Sequence, residues 1–159
     1  MSVEVSDRAE QFILHWGEMG TRWGINRTVA QVHALLYVWP EPLDTQTIAD
    51  TLSVSRSNVS NSLKELESWG IVDVVQKMGD RKDYYETMED VWEMFRIITA
   101  ERKKREIDPT LSVLRECTQG DNEAEGRDQY ALERLTELRD FMEQGAGVCE
   151  DIQNMDAEK

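Results

Sequence analysis

A chain of 159 residues with 40% hydrophobic and 31% charged residues is long enough to bury a core and short enough for one domain with extensions. It has no apolar run of the roughly 18 residues a spanning helix needs, and Met1 to Glu10 carry acids where a secretory leader is basic and apolar, which points to a cytoplasmic protein without a membrane role. Eighteen basic against 32 acidic residues leave a net charge of -14, so a generally basic surface is excluded and any nucleic-acid contact must be local.

From Ser6 to Trp23, the residues Phe12, Trp16, Met19 and Trp23 recur at spacings of four, three and four, one stripe of an amphipathic helix. Gly17 and Gly20 are poor helix formers there, and imply either close approach of another backbone or a weakened second half. A second stripe, Val29, Val32, Leu36 and Trp39, predicts a helix from Arg27 that Pro40 and Pro42 end. Asp44 then caps a short helix carrying Ile48, Ala49 and Leu52. Ser53-Val54 makes a tight turn, and Ser55 caps another helix reaching Trp69, with Gly70 at its end. Its inward face is Val59, Leu63 and Leu66, with Trp69 a further candidate at its end; Arg56, Ser57, Asn58, Ser60, Asn61 and Lys64 lie at or near the outward one.

The β-branched run Ile71 to Val75 predicts a strand, Lys77 to Lys82 a loop, and Asp83 to Thr87 a returning strand. A further helix starts near Glu89 or Asp90, carries Val91, Trp92, Phe95 and Ile98, and runs into the basic Arg102 to Arg105, a favourable charge for a helix C-terminus. Pro109 should kink or end it, helix should resume to about Cys117, and Thr118 to Gly126, with Asp121 and Asn122, composes as a linker. A last long helix has the sparse seam Leu132, Leu135, Leu138 and Met142, and Gly145-Ala146-Gly147 should separate it from an acidic tail.

Helix, tight turn, helix and two-stranded ribbon in this order make a winged helix-turn-helix, in a fold that is mainly α with a small β-hairpin wing. The first short helix braces the second, whose exposed side chains can enter a major groove. Serine and asparagine can bond base edges or phosphates, Arg56 suits guanine or phosphate, Lys64 suits the backbone, and Arg81 and Lys82 put charge at the wing tip. A merely solvated face would favour Glu and Lys, whereas residues 55–61 hold mostly Ser and Asn, which are poor helix formers. DNA reading by Ser55, Arg56, Ser57, Asn58, Ser60, Asn61, Lys64, Arg81 and Lys82 is therefore favoured over a winged helix used only for protein contacts.

Gly20 to Thr28, Ala34 to Tyr37, Pro40 to Leu43, Ser55 to Ser60, Trp69-Gly70 and Gly79 to Glu86 together resemble the GbsR branch of MarR-type bacterial transcriptional regulators. The resemblance spans roughly residues 8–105. It implies a homodimeric repressor whose terminal helices build the dimer and whose two recognition helices meet successive major grooves of an inverted-repeat operator in double-stranded DNA. Residues 1–26 then form an N-terminal arm, 27–88 the DNA-binding domain, and 89–159 a helical dimerisation or effector region. It also implies control of osmoprotectant uptake or synthesis genes, for choline, glycine betaine or ectoine, tuned by an osmolyte or by ionic strength. Aromatic faces bind quaternary ammonium groups through cation–π attraction. Trp16, Trp23, Trp69 and Trp92 are the candidate cage, with ordinary core packing as the alternative.

No glycine-rich phosphate loop, HExxH helix or recognisable nucleophile motif is present, and neither an enzyme nor any cofactor or metal is implied. Cys117 and Cys149 lack metal-ligand spacing and read as free thiols, with a redox-responsive repressor as the minority alternative. The acidity is uneven: residues 108–159 hold 14 acids and 5 bases, residues 1–107 hold 18 and 13. The expected DNA face lies outside the most acidic part.

Overall fold

The structure, a computed structural model, describes residues 1–120 and 125–155. It forms two compact units, Met1–Val91 and Trp92–Lys159.

In the first unit, α1 (Asp7–Arg22) starts where Ser6 Oγ accepts the Ala9 N–H at 3.2 Å, and α2 (Arg27–Val38) starts where Asn26 Oδ1 accepts the Thr28 N–H at 2.8 Å. Each cap satisfies an amide that the first helical turn leaves open. The inward line of α1 is Ile13, Gly17 and Gly20, while the expected stripe residues Phe12, Trp16 and Met19 are half-buried and Trp23 is exposed. The glycines explain the displacement. A Cβ on Gly20 would lie 2.7 Å from Ala30 Cβ, and one on Gly17 would lie 2.8 Å from Gln31 Cγ, so glycine lets α1 settle onto α2. Of the two readings of these glycines, close approach is the one the fold uses.

Helix α2 is buried on nearly every side: Val29, Ala30, Val32, His33, Ala34, Leu35 and Leu36 are all in the core. It packs against α1, α3 (Thr45–Leu52), α4 (Arg56–Ser68) and β3 (Asp83–Thr87). Between them β1 (Leu43–Asp44) and β2 (Val72–Gln76) complete an antiparallel sheet of order β1-β3-β2. Leu43 pairs with Tyr85 and Asp44 with Tyr84, while β2 pairs with β3 from Val72–Thr87 to Gln76–Asp83. The hairpin matches the sequence expectation; β1 adds a third strand to it.

The second unit is helical. Helix α5 (Val91–Arg102) passes into a wide π-type turn, Lys103–Ile107, and then α6 (Asp108–Thr118). Pro109 sits in the first turn of α6, where its missing N–H costs no hydrogen bond, so the break expected at the proline takes the form of the wide turn just before it. Three of the four residues of the basic run form ion pairs: Arg102 with Glu106, Lys103 with Asp108 and Glu150, and Arg105 with Glu101.

Helix α7 (Gly126–Asn154) runs straight through Gly145-Ala146-Gly147, which was expected to end it. Ala146 is buried, and intrahelical hydrogen bonding outweighs the low propensity of two glycines. Leu132, Leu135 and Met142 are half-buried; Leu138 instead joins Tyr130, Phe141 and Val148 in an exposed line. Asp121 and Asn122 of the expected linker, and the last four residues of the acidic tail, lie outside the described residues.

Gly20→Ala should destabilise the chain by about 1–3 kcal/mol in urea unfolding, although alanine is the better helix former. Adding Ala30→Gly should return most of that loss. His33 supplies a second expectation. Its ring is buried, packs against Trp16 at 6.3 Å between centroids, and its Nε2 has no hydrogen-bond partner among the described residues. Burial pushes its pKa from 6.5 down to about 4. The unfolded chain therefore takes up a proton first, so this contribution is constant above pH 6.5 and stability falls as pH drops towards about 4. The loss at pH 5 relative to pH 7 should be about 2 kcal/mol, and His33→Gln should remove that slope.

Candidate nucleic-acid interface

The turn between α3 and α4 is built by caps at both ends. Asp44 Oδ1 accepts the Thr47 N–H at 3.2 Å and starts α3. Ser53 closes it in the left-handed conformation, φ 56°, and the Val54 N–H donates to the Ala49 carbonyl at 3.1 Å. A non-glycine residue at positive φ is strained, and it is what makes the turn this short. Ser55 Oγ then accepts the Asn58 N–H at 3.2 Å and starts α4.

On α4 the predicted division holds. Val59, Leu63 and Leu66 are buried, joined by Ser62, while Arg56, Ser57, Asn58, Asn61 and Lys64 are exposed and Ser60 is half-buried. Ser55 differs in role from its neighbours, because its hydroxyl is the cap and also lies 3.3 Å from Ser57 Oγ. The far end of α4 is equally defined. Gly70, at φ 77°, donates to the Glu67 carbonyl at 2.9 Å, and the Ile71 N–H reaches back to the Leu66 carbonyl at 3.1 Å. This is a Schellman ending, with buried Leu66 and Ile71 beside it. Strand β2 begins at the next residue.

The wing tip is internally organised. Asp80 Oδ1 accepts the Lys82 N–H at 2.9 Å and Asp80 Oδ2 accepts the Tyr84 hydroxyl at 2.6 Å. Those bonds, the tyrosine's first, hold the Asp80 carboxyl below its ordinary pKa. Lys77 Nζ sits 4.0 Å from the Tyr84 ring centroid, and Lys82 Nζ is 3.5 Å from Asp44 Oδ2. Arg81 is exposed, with no ion pair among the described residues. An exposed hydrogen-bonding helix beside a ribbon with a free guanidinium can contact both base edges and phosphates.

Residues 23–83 match the model of the MarR family. Over that stretch the winged helix-turn-helix is similar to the MarR family. One similar curated protein is YvaV of Bacillus subtilis strain 168, whose name places it among candidate HTH-type transcriptional regulators; it is 24% identical over 91 residues, 57% of this chain and 51% of YvaV. The chain thus spans about half the length of that curated relative. A crystal structure of a transcriptional regulator superposes with a TM-score of 0.65 at 19% identity, over 92% of this chain and 95% of the other. That likeness establishes the fold. Regulator Tm0710 of Thermotoga maritima matches at a TM-score of 0.42, with 20% identity over 87% and 91% of the two chains.

The aromatic candidates divide. Trp16 and Trp23 meet edge to face at 6.1 Å, Phe12 lies 5.6 Å from Trp16, and Tyr37 lies 6.1 Å from Phe12. Trp69 ends α4, and Trp92 opens the second unit, packed on Phe95 at 5.9 Å with its Nε1 donating to the Met155 carbonyl. A cavity of about 530 Å³ lies elsewhere in the first unit, lined by Tyr37, Trp39, Pro40, Glu41, Pro42, Glu86, Met88 and Glu89 among others. No local pattern marks it, because its walls come from two segments about 45 residues apart. Of the thiols, Cys117 is exposed and Cys149 half-buried.

Loss of the α4 cap should be measurable. Ser55→Ala should lower stability by about 1 kcal/mol and speed amide exchange in the first turn of α4, and Ser55→Asp should restore both.

Proposed function

We propose that the chain is a homodimeric, sequence-specific repressor that reads an inverted-repeat operator in double-stranded DNA. The observation that carries this reading is the outward face of α4, where Arg56, Ser57, Asn58 and Asn61 are all exposed beside a wing whose Arg81 is free of ion pairs among the described residues. The polar groups on that face have the donors and acceptors that major-groove edges require. The dimer is supported by α7: Tyr130, Leu138, Phe141 and Val148 are exposed along one line and are 46–70% accessible. A second copy would remove that apolar surface from water.

The regulated genes, on this reading, serve uptake or synthesis of osmoprotectants, and a small osmolyte or ionic strength sets operator affinity. The resemblance of residues 8–105 to the GbsR branch supports this. So does the cavity beside Tyr37 and Trp39: three carboxylates, Glu41, Glu86 and Glu89, line it and no basic side chain does. That chemistry suits a choline-like cation better than zwitterionic glycine betaine. Trp16, Trp23, Trp69 and Trp92 remain candidate effector contacts.

Footprinting on genomic DNA should recover an inverted repeat with half-sites about one helical turn apart. Arg56→Ala and Asn58→Ala should each weaken that complex by about 1–3 kcal/mol, with little change on unrelated sequence. Choline should shift operator affinity more than glycine betaine at equal ionic strength. An absence of any enriched repeat would overturn the reading.

A further inference from the structure

The tip loop and its edges hold three cations, Lys77, Arg81 and Lys82, and they are not equivalent. Lys77 rests on the Tyr84 ring. Lys82 is held from two directions: its N–H donates to Asp80 Oδ1 at 2.9 Å, and its ammonium lies 3.5 Å from Asp44 Oδ2. Arg81 has neither an ion pair nor an aromatic ring contact among the described residues.

Asp44 is well placed to keep its lysine. Its other oxygen accepts the Thr47 N–H at the start of α3, so the carboxylate has one partner on each side. Only 10% of its side chain is exposed, against 65% for Lys82. Burial raises the Asp44 pKa, and the bonds to Thr47 and the charge of Lys82 outweigh it, so the carboxyl lies below its ordinary value. Releasing Lys82 would leave a largely buried carboxylate oxygen without its cation. The backbone supports the same geometry, since β1 pairs Asp44 directly with Tyr84, two residues beyond Lys82.

We propose that Asp44 is a positioning residue of the DNA-reading surface: it holds Lys82 against the start of α3, away from phosphate, and leaves Arg81 as the phosphate-contacting cation of the wing. This rests on the DNA-reading function above. Asp44 thereby sets the number of phosphate contacts without touching DNA. Sequence alone counts Lys82 among the contacts, because an aspartate 38 positions upstream gives no sign of the pairing.

The test is the salt dependence of binding to mixed-sequence duplex DNA, where each phosphate neutralised steepens the plot of log K against log salt by about 0.9. Asp44→Asn keeps a good helix cap and removes the charge. It should steepen the slope by about one such contact per subunit and tighten binding at low salt. Lys82→Met should leave the wild-type slope unchanged, and Arg81→Met should make it shallower by one contact. The double variant Asp44→Asn, Lys82→Met should return to the wild-type slope, which separates release of the lysine from general loss of negative charge. An unchanged slope in Asp44→Asn, or a shallower one in Lys82→Met, overturns the proposal. Lys82→Met changes an exposed side chain and decides the matter if Asp44→Asn does not fold. If the wild-type chain binds no duplex, the DNA-reading function fails and this proposal with it; binding with the wrong slopes sinks this proposal alone.

Discussion

Helix α2 must be buried on almost its whole circumference, and the first unit follows from that constraint. Seven of its residues are in the core, so every neighbour must bring an apolar or very small surface to it. Helix α1 brings glycines, because the side chains of Ala30 and Gln31 already fill the space a Cβ would need. Helix α4 packs against the same helix and has Val59, Leu63 and Leu66 buried, which leaves its opposite face for solvent or a partner. His33 is caught in the same burial, and its neutral form is a consequence of the packing. The exposed face of α4 is thus fixed from behind by side chains that never reach it.

The net charge of -14 looked like an objection to a polyanionic partner. Side-chain geometry answers it more finely than counting does. Several basic residues of the second unit are taken up by its own acids, as Arg102, Lys103 and Arg105 are around the π-type turn. Arg115 and Arg139 have acidic partners too, in Glu143 and Asp140. In the first unit the cations of α4 project outward, and the wing sorts its own into held and free. Exposed ion pairs of this kind contribute little stability. Their effect is on which charges remain available.

The sequence carried the elements with local signals. Asp44 and Ser55 are caps by residue type and position, Gly70 ends α4 by its freedom to take positive φ, and the β-branched run before the tip loop is a strand. Features that depend on distant partners were hidden. Strand β1 is two residues long and has no periodicity of its own; only pairing with Tyr84 and Tyr85 makes it a strand. The stripe assigned to α1 was one residue out of phase with the buried line, because glycine scores as non-apolar while it permits the closest contact. The same bias misplaced the end of α7, where Gly145 and Gly147 sit beside buried Ala146 inside a continuous helix. Surface and core aromatics look alike in sequence, so the cavity lined by Tyr37 and Trp39 was not legible while the pairing of Trp16 with Trp23 was.

The ending of α4 has a geometric consequence for how such a unit can vary. Gly70 and Ile71 close the helix and are followed at once by β2, so there is no slack between α4 and the wing. One residue inserted into α4 turns everything beyond it by roughly 100° about the helix axis and advances it by about 1.5 Å. The wing would then change its direction relative to the outward residues of α4. Between Ser55 and Val72 the chain behaves as a phased ruler, tolerant of substitution on its outer face and intolerant of any change in length.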